Sequence, residues 1–223
     1  LGVRRQRQMC IRDRSYIGKV YKGQIDPQST SALKTLYRNH NSSLFTLLQT
    51  AFAVLLNRVS SETDIVIGTP VSNRVDANLN HTLGLFLNTL ILRSDIDPQR
   101  TFTEQLVSNT DLVLSAYENQ DVPFETLVEK LQATRSLAYS PLFQIHFQVD
   151  HRHQGSQSEF SLPGLNIKPA PGAQLPIKFE LALNVIETES GLETLWQYKT
   201  SLFNEETIAS VSYTHLRAHE TYP

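Results

Sequence analysis

The sequence predicts an α/β or α+β layer fold, with helices packed on a mixed sheet. Three observations carry this. A broad apolar stripe follows Ser43, with Leu44, Phe45, Leu47, Leu48, Ala51, Phe52, Leu55 and Leu56 at helical spacing. Two stretches alternate with period two. In the first, Phe143, Ile145, Phe147 and Val149 are interleaved with Gln144, His146, Gln148 and Asp150; in the second, Phe179, Leu181, Leu183 and Val185 repeat the pattern. Finally, Glu189, Ser190 and Gly191 lie between that second strand and 192–199, which is a hairpin signal.

The remaining elements follow in order. Leu33, Leu36, Tyr37 and His40 fall on one face of a first helix. Ser43 caps the next, whose stripe is wide enough to bury it on most sides. Ile65, Val66 and Ile67 form a buried strand that gives way to a loop at Gly68 and Pro70. Residues 85–92 are a second apolar run, broken only by Asn88 and Thr89. Thr101 and Glu104 make a capping box for a helix through about Tyr117. Asp121 and Pro123 open another helix, with Asp121 as cap, Pro123 in the first turn, and Phe124, Leu127, Val128 and Leu131 on one face. The polar face of the 143–150 strand predicts an antiparallel or half-covered position. Residues 151–163 are polar with Gly and Pro and read as a loop. Asn204 caps a last helix beginning at Glu205, which is expected to be cut short near residue 210.

Composition narrows the classes. The chain has 223 residues, with one Met and one Cys, adjacent at Met9 and Cys10. One Cys excludes a disulfide framework and a multi-cysteine zinc site. No run approaches the roughly 18–20 apolar residues of a membrane span. Residues 15–210 carry a net charge of −6, against +4 for 1–14, so the body offers no basic footprint for nucleic acid. The basic end has neither the apolar core of a signal peptide nor the serine richness of a transit peptide. The segments 9–14 and 211–221 resemble translated sequencing-adaptor DNA. The expected organisation is therefore a body of 15–210 between non-native tails at 1–14 and 211–223.

Four stretches are richer than periodicity requires: I-G-T-P-V-S-N-R at 67–74, G-L-F-L-N-T at 84–89, N-Q-D-V-P-F-E-T-L-V at 119–128, and S-P-L-F-Q at 140–144. In this order and spacing they resemble the later signature motifs of the condensation domains of nonribosomal peptide synthetases. The resemblance covers about 15–210. It implies a chloramphenicol-acetyltransferase-like lobe, α/β with a mixed sheet flanked by helices. It also implies a reaction: amide-bond formation between aminoacyl or peptidyl thioesters carried on the phosphopantetheine arms of carrier domains. No other cofactor is implied. The family's H-H-x-x-x-D-G signature is absent, because no two His residues are adjacent. The expected identity is thus the C-terminal lobe alone, inactive by itself and partnered by carrier domains, an adenylation domain and an N-terminal lobe, in the cytoplasm. Relatives that epimerise, heterocyclise or form esters share the architecture, and a non-catalytic carrier-docking lobe is a further alternative. The segment 177–199 resembles the family's crossing segment, which predicts an apolar face left without a partner.

The resemblance suggests Arg74, Asn88 and Thr89 as residues near the tunnel or substrate, and assigns no catalytic residue. Arg74 either lines the tunnel or holds its loop. Asn88 either hydrogen-bonds a substrate amide or satisfies neighbouring backbone. His146, His151 and His153 with Asp150 suggest a metal, but their spacing repeats nowhere, and a solvated polar loop is the preferred reading. No G-x-S-x-G elbow, G-x-G-x-x-G or P-loop pattern occurs.

Overall fold

The computed structural model describes residues 17–74, 76–132, 140–151 and 176–217. In chain order the elements are β1 (Gly18–Ile25), α1 (Pro27–Asn39), α2 (Leu44–Ser60), β2 (Asp64–Val71) and a 3-10 turn (Ala77–His81). There follow β3 (Asn88–Asp95), α3 (Phe102–Glu118), α4 (Phe124–Lys130), β4 (Ile145–His151), β5 (Leu181–Thr188), β6 (Gly191–Lys199) and α5 (Glu205–Arg217).

The helix starts are written locally. Asp26 accepts from the N–H groups of Gln28 and Ser29 at 2.8 and 2.9 Å, and Pro27 fills the first helical position. Ser43 accepts from Thr46 N–H at 3.0 Å. Thr101 and Glu104 form the reciprocal capping box. The expected Asp121 cap is not made. α4 has Pro123 at its N-cap and no side-chain cap of its own. The turn ahead of it closes through backbone bonds, among them Val122 N–H to Asn119 O at 3.3 Å, and leaves Asp121 exposed. α5 also departs from expectation. It does not stop near residue 210 but runs to Arg217, with Ile208 and Ser212 buried.

Six strands form one sheet in the order β1-β6-β5-β4-β2-β3. β4 is parallel to both neighbours, β2 and β5, while the other pairs are antiparallel. The period-two pattern of β4 therefore reports a half-covered strand, not an antiparallel one. Both of its connections are long enough for a crossover, which parallel pairing needs. The β5–β6 hairpin does not cross out of the sheet. It lies within it, and Leu181, Leu183, Val185, Leu192, Trp196 and Tyr198 are core residues. Gly191 at the hairpin turn has φ +120°, and a Cβ there would collide with Ile25 O, so only glycine fits.

α2 is the central helix, buried along Leu44, Leu47, Leu48, Ala51, Phe52 and Ala53. Phe52 meets Phe147 of β4 at 5.9 Å and Trp196 of β6 at 5.8 Å between ring centroids. A second, polar layer ties α2 to its neighbours: Gln49 donates to Ser94 on β3, and Asn109 of α3 donates to Gln49 and Thr50. Among the described residues no single helix is long and apolar enough to cross a membrane.

Candidate functional site

The four motif stretches come together beside β2, where β3 begins level with its last residue, Val71, and β4 begins level with Ile67. β2 does not break at Gly68 but continues to Val71, pairing with β3 from Asp64↔Asp95 to Val71↔Asn88. Its contact with β4 covers only Ile67 and Gly68, so Pro70 lies beyond that second ladder. The apolar run 85–92 is likewise divided. The strand starts at Asn88, and Leu83, Leu85 and Leu87 before it are 99, 89 and 66% exposed. Asn88 is therefore at the head of a strand rather than inside an apolar one.

Its amide is fully engaged. Asn88 Nδ2 donates to Gln120 O at 2.7 Å and Val122 O at 2.8 Å. Its Oδ1 accepts from Thr89 N–H at 2.9 Å and Phe124 N–H at 3.2 Å. Two donors and two acceptor directions exhaust an amide. Asn88 thus supplies from β3 the cap that α4 lacks. Thr89 is half-buried opposite Pro70. Arg74 is spent on its own loop: Nη1 donates to Leu79 O and Thr82 O, Nη2 donates to Thr82 O at 3.1 Å, and the guanidinium lies over the Phe86 ring at 4.4 Å. The structure brings Asn88 and Thr89 together and leaves Arg74 on the adjoining loop.

An aromatic ladder runs beside β2, from Gly68 to the start of β4. The Phe143 ring occupies the space that a Cβ on Gly68 would need. Phe143 meets Phe124 edge-on at 5.8 Å and stacks on Phe179 at 5.4 Å. Phe179 stacks in turn on His146 at 4.6 Å, with 9° between the rings. Burial pushes the His146 imidazole down to about 4, so it is neutral at pH 7. The sequence signals for this ladder were present as a strand pattern, but nothing local tied Phe179 to Phe143. The ring of His151 and all of His153 lie outside the described residues. Among the described residues no three His, Cys, Asp or Glu side chains come together as metal ligands. The site as built is an aromatic and backbone-braced surface. Among the described residues it offers shape, since the Asn88 amide and the Arg74 guanidinium are already engaged.

A sequence model of the condensation domain matches residues 6–220. The chain belongs to the condensation-domain family. This condensation-domain chain is 35% identical over 194 residues to gramicidin S synthase 2 of Aneurinibacillus migulanus, covering 87% of the chain and 4% of that protein. It is 37% identical over 204 residues to the dimodular nonribosomal peptide synthase of Bacillus subtilis (strain 168), covering 89% of the chain and 8% of that protein. The solved X-domain from teicoplanin biosynthesis superposes with a TM-score of 0.81 at 27% identity, over 91% of this chain and 46% of that one. The chain thus spans a small part of the synthetases it matches and about half of that solved X-domain. Its mixed sheet flanked by helices is the chloramphenicol-acetyltransferase-like condensation fold.

Proposed function

We propose that this chain is one lobe of a condensation domain in a nonribosomal peptide synthetase and contributes one wall of its reaction tunnel. The family reaction joins two carrier-bound thioesters. The acceptor amine attacks the donor carbonyl carbon, the C–N bond forms, the C–S bond breaks, and the thiol leaves with the proton lost from nitrogen. The amine must be neutral to attack, so a nearby base or hydrogen-bond acceptor is needed. The family's H-H-x-x-x-D-G supplies a His there, to position the amine, to accept its proton or to stabilise the charged intermediate; that signature is absent from these 223 residues. The natural setting on this reading is the cytoplasm, beside carrier and adenylation domains and a second lobe bearing the signature.

The observation that supports this reading is that all four motif stretches are linked beside β2, through Asn88 to Phe124, Phe124 to Phe143 and Phe143 to Gly68, in a member of this family. The test is reconstitution. The chain is mixed with loaded carrier domains, alone and with an N-terminal lobe containing the signature, and the thioesters are read by mass spectrometry. Amide product is expected only in the two-lobe mixture. Product from the chain alone, or none from a two-lobe mixture shown to assemble, overturns the reading.

A second reading is a non-catalytic docking lobe. It is favoured by the X-domain likeness, since one similar solved structure is a complex of the X-domain and OxyB from teicoplanin biosynthesis. Carrier binding without turnover in a two-lobe protein would select it.

A further inference from the structure

From Thr82 to Leu92 no residue is charged. Leu90 and Leu92 enter the core, but Leu83, Leu85 and Leu87 stand almost wholly in solvent. Phe86, between two of them, turns the other way. Its ring lies under the Arg74 guanidinium at 4.4 Å and beside Gly84, where a Cβ would stand 3.0 Å from it. Arg74 also donates to Leu79 O and Thr82 O, so one guanidinium ties down both the turn and the ring. At the other end Asn88 anchors the start of β3 and donates to Val122 O, and Val122 is itself 39% exposed. The leucines are therefore presented between two braced ends, not left on a free loop.

Water disfavours such a ridge, since burying one leucine is worth about 1.5–3 kcal/mol. Contiguous exposed apolar surface of this kind marks a contact with another body. Area separates the occupants. A stable dimer of identical chains needs ~800 Å² per partner, and three leucines supply well under that. Interfaces between domains of one protein begin lower, near ~600 Å² in total. A body of the right kind is at hand: the match to the solved X-domain covers 91% of this chain and only 46% of that one, so about half of that domain has no counterpart here.

We propose that Leu83, Leu85 and Leu87 seat the other half of a condensation-type domain, and that Arg74, acting through Phe86, is the positioning residue that presents them. This rests on the condensation reading for the existence of the second lobe, and adds which residues meet it and what holds them in place.

The test is thiol labelling. Cys10 is the sole Cys, so Cys10→Ser leaves a thiol-free chain. In that background Leu85→Cys is treated with N-ethylmaleimide, alone and mixed with the N-terminal lobe used for reconstitution, and the rate is read at that residue by mass spectrometry. Labelling should be fast in the chain alone and at least tenfold slower in the mixture. Val59→Cys, at a site 66% exposed beside the opposite end of β2, is the control and should keep its rate. Arg74→Lys keeps the charge but loses the flat fork that bonds two carbonyls and stacks on Phe86. It should weaken lobe association about tenfold with little change in the melting of the chain alone. In a Leu85→Ser, Leu87→Ser background it should add nothing, because the ridge it presents is gone.

Equal labelling of Leu85→Cys with and without a lobe that co-elutes with the chain overturns the seat, and so does a lack of any association. Protection in the chain alone that grows with its concentration assigns the ridge to a second copy and overturns it too. An undiminished Arg74→Lys effect in the leucine-free background removes the positioning role. Co-elution and protection without amide product count against the condensation reading and leave the seat; amide product with Leu85→Cys unprotected counts against the seat alone.

Discussion

At the scale of single residues, the site candidates differ in how much of their bonding capacity is already used. Asn88 has none left. Asn88→Ala strands two backbone carbonyls and the first N–H of α4, and should cost roughly 2 kcal/mol in urea unfolding. Asn88→Asp should do no better, because it replaces the donating NH₂ with an oxygen facing the carbonyls of Gln120 and Val122. Asn88→Ala with unchanged stability would return the residue to the substrate side. His146 makes a pH prediction. Its folded pKa of about 4 lies below the ordinary 6.5, with burial as the cause. Between those values the unfolded chain binds the proton and the folded chain does not, so this contribution is complete above pH 6.5 and is lost as pH falls toward 4. The loss is on the order of 3 kcal/mol at most. His146→Phe keeps a ring on Phe179 and cannot titrate, so its stability should fall less steeply over that window. Parallel pH profiles for the two proteins would refute the assignment.

At the scale of elements, legibility follows how local the cause is. The caps Ser43 and Thr101 with Glu104 were readable because donor and acceptor lie within three residues. The cap of α4 was not, because its acceptor arrives from Asn88, 36 residues away. Strand limits failed for the same reason. Gly68 and Pro70 read as a loop, yet β3 pairs with β2 through both. Leu85 and Leu87 read as strand, yet the ladder begins only at Asn88. Gly68 shows what its position requires: the missing Cβ is the room into which Phe143 folds. Gly68→Ala must push that ring off Phe179 and Phe124, and should cost about 1–3 kcal/mol as overpacking. A Gly68→Ala, Phe143→Leu double variant should recover part of that loss, since the smaller side chain yields the space. Equal loss in the single and double variants would place the strain in the β2 backbone instead.

At the scale of the whole molecule, strand order was the least legible feature. β2 and β4 are parallel neighbours, yet α3 and α4 lie between them in the chain, and no periodicity records that pairing. The hairpin was visible, but its central place was not, because its flanking strands β1 and β4 come from distant parts of the chain. The two ends of the chain close the sheet together. β1 pairs along the whole of β6, and α5 packs on β1, with Lys19 and Glu205 2.7 Å apart across the exposed rim. An exposed pair of this kind contributes little. The apolar residues of α5 therefore carry the closure: Ile208 is 3% exposed, and Val211 packs against the core one helical turn later. Removing 211–223 takes away Val211 and the buried Ser212, and should lower stability by roughly 1–2 kcal/mol from lost apolar burial. Removing 205–223 uncovers Ile208 and β1 as well, and should lower it further. A urea midpoint unmoved by the shorter truncation would show that residues past 210 add nothing to the fold, as foreign residues would.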